Sequence, residues 1–128
     1  AVDDAGTILN PKLFDGQVHG GIVQGAGQIL MEDVFYDTEN GQLISGSFMD
    51  YCMPRADDFC SFEISANEIP TLRNPLGVKG VGEAGTVGAM PAIMNAINDA
   101  LFNIGAKSIE MPATNEKVWR ALQSVGTK

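Results

Sequence analysis

Residues 74–100 read Asn-Pro-Leu-Gly-Val-Lys-Gly-Val-Gly-Glu-Ala-Gly-Thr-Val-Gly-Ala-Met-Pro-Ala-Ile-Met-Asn-Ala-Ile-Asn-Asp-Ala, which sets five glycines and one carboxylate, Glu83, just ahead of an amphipathic helix. Gly77, Gly80, Gly82, Gly85 and Gly88 lack a Cβ, so the backbone of such a loop can bring its N–H groups close to a ligand. The first turn of the following helix adds unpaired N–H donors and the positive end of the helix dipole, a setting that favours an anion. A loop that only gripped a phosphate gains nothing from a carboxylate at its centre, which marks Glu83 as a candidate chemical group. A glutamate carboxylate is a suitable proton acceptor at neutral pH. The alternative is that Glu83 is a first-turn helix carboxylate, held by the dipole and exposed, with the glycines forming a plain loop. The spacing departs from known nucleotide loops: Lys79 precedes most of the glycines, no Lys-Ser or Lys-Thr pair closes the run, and no apolar strand leads into a dinucleotide fingerprint.

A second candidate is Gln24, within Gly20-Gly-Ile-Val-Gln-Gly-Ala-Gly, whose amide offers donors and acceptors together. The single histidine, His19, is read as a packed or surface residue rather than a ligand. Arg55 with Asp57 and Asp58 reads as a solvated turn cluster worth under about 1 kcal/mol. The methionines, Met90 and Met94 among them, read as core filler. Cys52 and Cys60 lack a second Cys-x-x-Cys or clustered histidines, so zinc and iron-sulfur ligation have no support, and free, mostly buried thiols are expected. Eight basic against sixteen acidic residues give a formal charge of −8; that sign repels nucleic-acid phosphates and anionic membrane surfaces. No apolar run reaches the roughly 20 residues of a spanning helix, and no signal pattern opens the chain, so a cytoplasmic location is expected.

These groups must be positioned by a small set of elements, and the 128 residues are expected to form a single α+β domain. Asn10-Pro11 reads as an N-cap and first helical position. From there Leu13, Phe14, Val18, Ile22, Ala26, Ile29 and Leu30 recur at helical spacing and give a long helix one buried face, to about residue 32. That helix carries glycines at 16, 20, 21, 25 and 27. Each costs roughly 0.5–1 kcal/mol relative to alanine, so close approach by another backbone or a bulky cofactor is expected. Val34–Asp37 and Gln42–Ser45 flank Asn40-Gly41, a hairpin signal, and Ser61–Ala66 alternates as a half-buried strand. After the glycine loop, Ile93, Met94, Ile97 and Leu101 mark a second long helix ended near Gly105. Ser108–Met111 reads as a short strand. Thr114 caps a last helix with Val118, Trp119 and Leu122, expected to dock on the core.

Four stretches taken together resemble one family. They are Asn10-Pro-Lys-Leu-Phe-Asp-Gly-Gln-Val-His-Gly-Gly-Ile-Val-Gln-Gly-Ala-Gly-Gln, Gly46-Ser-Phe-Met-Asp-Tyr-Cys-Met-Pro-Arg-Ala-Asp-Asp, Gly77-Val-Lys-Gly-Val-Gly-Glu-Ala-Gly-Thr, and Met111-Pro-Ala-Thr with Val118-Trp-Arg-Ala-Leu. In this order they are similar to the C-terminal part of the molybdenum-binding large subunit of the xanthine dehydrogenase, aldehyde oxidase and aerobic carbon monoxide dehydrogenase family. The wording resembles the carbon monoxide dehydrogenase-like branch most. The resemblance implies one segment of a bipartite molybdopterin-binding region, so a chain that opens at Ala1 is expected to be an excised or cleaved piece.

By the same resemblance Glu83 aligns with the glutamate beside the molybdenum that acts as a base, and Gln24 lies near the pyranopterin. Lys79, Gly80, Val81, Gly82, Gly85 and Thr86 become cofactor neighbours. The implied cofactor is molybdopterin with molybdenum, with a lean toward the cytosine dinucleotide form. FAD and 2Fe-2S clusters are implied in partner subunits or domains, and a purine, aldehyde, heterocycle or carbon monoxide as substrate. The copper-bearing cysteine loop of carbon monoxide dehydrogenases has no counterpart here. Two readings result: a catalytic segment that needs the remainder of its subunit, or a noncatalytic module that binds an anion or a partner.

Overall fold

Asn10 starts the first helix as its position suggests. Its Oδ1 accepts the Leu13 N–H at 3.1 Å, and Pro11 fills the first helical position, where a missing N–H costs nothing. In a computed structural model that describes residues 1–125, three helices follow from such signals: α1 Pro11–Leu30, α2 Ala84–Asn103 and α3 Asn115–Gln123. Thr114 caps α3 by accepting the Lys117 N–H at 3.4 Å. The end of α2 passes into Gly105 at φ +78°, a left-handed position that glycine takes without a Cβ penalty.

The glycines of α1 explain how α1 and α2 meet. A Cβ on Gly21 would lie 3.2 Å from the Gly85 Cα, and one on Gly25 would lie 2.8 Å from the Thr86 carbonyl oxygen. In return, a Cβ on Gly85 would lie 2.6 Å from the Val18 carbonyl oxygen. Backbone therefore lies on backbone, with the Ala89 side chain beside Gly25; Ala26, Ile29, Ala89 and Leu101 are buried. The expected buried face of α1 needs correcting at one end: Leu13 is 71% exposed, because the seam runs along Gly21, Gly25 and Ala26 and not through the first turn.

The glycine run itself divides differently from its sequence reading. Gly85 and Gly88 belong to α2, so the open loop ends at Glu83. Its other end is tied to the N-terminal segment: Thr7 N–H donates to Gly77 O at 2.9 Å and Lys79 N–H to Ala5 O at 3.1 Å. Gly77 sits at φ +68° with Pro70 and Thr7 against it, a place no L side chain fits.

The strand expectations are not met as sheets. Among the described residues there are only two isolated antiparallel bridges, Gly6 with Val78 and Tyr36 with Leu43. The Asn40-Gly41 turn does form, with Asp37 N–H donating to Gln42 O and Ile44 N–H to Phe35 O, each at 2.8 Å, but its arms pair no further. Ser61–Ala66 keeps its alternation only in part: Phe62 and Ile64 are half-buried between exposed neighbours, but Ala66, expected on the same face, is exposed, and no strand lies beside the segment. Ladder bonds need a neighbour, and a lone two-stranded ribbon is marginal in water. Ser108–Met111 is likewise unpaired, because the Asn98 side chain takes both backbone groups of Ile109, accepting its N–H at 2.9 Å and donating to its carbonyl at 3.2 Å.

Two further expectations are corrected. Cys52 and Cys60 are free, as expected, but both are exposed rather than buried, since the irregular 46–60 segment gives them no core to enter. No residue of α3 is buried and Trp119 is 60% exposed, so this helix does not dock its aromatic on the chain's core. Phe35, Tyr36, Phe48 and Met49 are also exposed.

Candidate functional site

Glu83 stands directly ahead of α2, at φ −105° and ψ −5°, and its carboxylate caps no backbone N–H. The side chain is exposed. A helix start leaves its first N–H groups without intrahelical partners. Here the Ala84 N–H turns back to Val81 O at 3.3 Å, while those of Gly85 and Thr86 open the helix behind the carboxylate. An exposed carboxylate thus sits at the mouth of a donor-rich, dipole-positive helix end.

Gly80 and Gly82 leave the loop bare. A Cβ on either would meet nothing within 4 Å, and the same holds for Gly20 on the facing stretch of α1. This backbone could be approached closely by a planar group, and its glycines are not required by packing. The Lys79 side chain ends in a paired ammonium, not a free one. It makes an ion pair with Asp4, and the Asp4 carboxyl is held below the usual aspartate range by that hydrogen bond first and by the Gly6 N–H second. With its own N–H given to Ala5, Lys79 fixes the loop to the N-terminal segment.

Gln24 and Thr86 are 62 residues apart in sequence and adjacent in space. The Thr86 hydroxyl donates to the Gly21 carbonyl at 2.9 Å and shares that proton with Gln24 Oε1 at 3.2 Å. With its oxygen turned toward Thr86, exposed Gln24 presents its amide nitrogen as a donor. Glycine on both helices makes this possible, since Gly21 and Gly85 let the two backbones close to contact. The structure therefore gathers Gln24, Gly85 and Thr86 at the seam. Lys79 and Val81 instead line a separate shallow cleft of about 300 Å³, together with Asn10, Phe14, Gln17 and Val78. Glu83 is not among the residues of that cleft.

The sequence reading missed Gln17. Its Nε2 donates to the Gly82 carbonyl at 3.1 Å, one residue before the carboxylate. It lies seven positions before Gln24, hence on the same face of α1, and that spacing was the available signal. His19 has a structural role: its Nδ1 meets Asp15 O at 2.9 Å, its Nε2 accepts the Phe62 N–H at 3.4 Å, and its ring lies against Phe62. Arg55 and Asp58 close a turn, the Asp58 carboxylate accepting the Arg55 N–H at 2.7 Å. Tyr51 donates to Glu32 at 2.9 Å, which pushes its hydroxyl pKa up. Among the described residues no group of three or more His, Cys, Asp or Glu side chains could hold a metal ion by itself, and no helix is long and apolar enough to cross a membrane.

Comparison with known proteins gives a consistent result. The family model of the molybdopterin cofactor-binding domain matches residues 1–60. The nicotine 6-hydroxylase large subunit of Paenarthrobacter nicotinovorans is 45% identical over 98% of this chain and 15% of its own length. The carbon monoxide dehydrogenase large chain of Afipia carboxidovorans is 36% identical over 98% of this chain and 16% of its own. Among solved structures, a copper- and molybdenum-containing carbon monoxide dehydrogenase superposes with a TM-score of 0.86 at 36% identity, covering 97% of this chain and 16% of that one. Quinoline 2-oxidoreductase from Pseudomonas putida 86 superposes with a TM-score of 0.85 at 39% identity, covering 94% and 15% respectively. The chain thus spans about one-sixth of the length of these relatives.

Proposed function

Because the chain belongs to the family of molybdenum-binding large subunits that includes the carbon monoxide dehydrogenase large chain, nicotine 6-hydroxylase and xanthine dehydrogenase, we propose that it forms one wall of a molybdopterin cleft in which Glu83 is the active-site base. The observation that carries this reading is the pairing of an exposed, uncapped carboxylate with bare backbone at Gly80 and Gly82 and with the open first turn of α2. The donor set suits a pterin and its phosphate: Gln24 offers an amide to the ring edge, and the N–H groups of Gly82, Gly85 and Thr86 suit anionic oxygens.

When bound, the molybdenum-pterin group would supply two-electron redox chemistry. This chain's own part is to present donors along the α1–α2 seam and to take a proton at the Glu83 carboxylate. The substrate we infer is a nitrogen heterocycle hydroxylated at carbon. That choice is favoured by identities of 45% and 39% to enzymes named for nicotine and quinoline, against 36% to those named for carbon monoxide. The cytosine dinucleotide form of the cofactor, and FAD and 2Fe-2S clusters on partner subunits to carry electrons away, belong to the same reading.

The remainder of the large subunit is the first partner. Unpaired 61–66, exposed Phe35, Tyr36, Phe48 and Met49, and the unburied α3 fit burial against it. Alone, the chain is expected to be inactive. Molybdenum and released pterin, measured in this chain purified alone and after co-production with the remainder of the subunit, test the reading. Both should appear only in the second sample; their absence from both would contradict it.

A further inference from the structure

We infer that Gln17 is a positioning residue for Glu83, holding the Gly82–Glu83 peptide so that the carboxylate and the adjoining N–H face the cofactor side. This deepens the proposed function and rests on Glu83 being the base. Among the described residues, the hydrogen bond from Gln17 Nε2 to Gly82 O, at 3.1 Å, is the one tertiary hydrogen bond made by residues 80–83. The other bonds there are local, from Ala84 N–H to Val81 O at 3.3 Å and from Val87 N–H to Glu83 O at 3.0 Å. Side-chain packing cannot replace it at the glycines, since the Cβ directions of Gly80 and Gly82 face open space. The Glu83 side chain accepts no capping bond that would fix it from its own helix.

The geometry gives the bond its effect. In a trans peptide the carbonyl and the following N–H point in opposite directions. Drawing the Gly82 carbonyl toward α1 therefore aims the Glu83 N–H away from α1. The grip comes from a rigid element, because Gln17 sits between the capped first turn of α1 and the Gly21–Gly85 contact that locks α1 to α2. Without it, the loop would keep its ends, at Lys79 and at α2, and lose its middle.

Two variants separate the hydrogen bond from mere bulk. Gln17→Met keeps length and removes the donor; Gln17→Lys is one atom longer and restores a donor on a flexible stem that can fold back to the same carbonyl. In the cofactor-loaded enzyme we expect Gln17→Met to lower kcat by about 10- to 100-fold through misplacement of the base, with KM, molybdenum and pterin content near wild type, and Gln17→Lys to recover most of the loss. Hydrogen exchange of the amides of residues 80–84 should quicken in Gln17→Met and recover in Gln17→Lys. Unchanged kcat and exchange in Gln17→Met would overturn the inference, as would equal loss in both variants. Glu83→Gln, run beside them, keeps the two levels apart. If it leaves turnover intact, the base assignment fails, whereas a large loss there with none in Gln17→Met refutes the positioning role alone.

Discussion

Glycine is abundant both at the α1–α2 seam and in the loop before Glu83, and it serves opposite purposes in the two places. At the seam, Gly21, Gly25 and Gly85 have backbone of the other helix within 2.6–3.2 Å of where a Cβ would stand. In the loop, Gly80 and Gly82 have nothing within 4 Å. The first set is required by the fold, and the second is free of it. A residue type that packing does not demand, next to an uncapped carboxylate and an open helix start, is what a ligand surface requires. On the function proposed above, the seam supplies stability and the neighbouring loop the chemistry, with Thr86 and Gln24 at the boundary.

The largest expected effect tests the seam. Gly85→Ala should destabilise the chain by about 1–3 kcal/mol, since the Val18 carbonyl and Ile22 N–H are backbone and cannot move aside cheaply. Gly16→Ala, inside α1 with nothing within 4 Å, should instead stabilise by about 0.5–1 kcal/mol through helix propensity. Thermal unfolding of both variants measures the difference, and the same sign for both would break the comparison.

In the loop, Gly80→Ala should leave stability within about 0.5 kcal/mol of wild type. It should nevertheless lower pterin retention severalfold in the assembled subunit, because its methyl enters the open space. Pterin content equal to wild type would remove Gly80 from the ligand surface.

The smallest effect concerns the far end of the loop. Asp4 has its pKa lowered by Lys79, so its contribution is present above the usual aspartate value of about 3.9 and fades as pH falls through the lower folded value. Asp4→Asn should therefore flatten the acid limb of the stability profile and leave neutral behaviour nearly unchanged, as expected for an exposed pair. An identical acid limb in both proteins would exclude the tether.

Much of this was legible in the residues, and the reasons for success and failure are local. Asn10-Pro11, Thr114 and Gly105 are read correctly as helix boundaries because capping depends on a few neighbouring atoms. The glycines of α1 announced a close approach without naming the partner, since Gly21 and Gly85 meet across 64 positions of chain. The strands failed for the converse reason: Phe62 and Ile64 alternate as a strand should, but pairing depends on a neighbour that these residues do not contain. Trp119, Cys52 and Cys60 were placed inside on residue type, and burial depends on what surrounds them. The Gln24–Thr86 contact and the Gln17 hold on Gly82 exist only after α1 and α2 have met.

The central claim is most directly tested by Glu83→Gln in the cofactor-loaded enzyme, with turnover and molybdenum and pterin content measured on the same sample. The substitution keeps size and hydrogen bonding and removes the proton acceptor. Turnover should fall by about 10²–10⁴-fold, the usual contribution of a positioned base, with cofactor content unchanged. Turnover close to wild type at full cofactor loading would contradict the role assigned to this carboxylate.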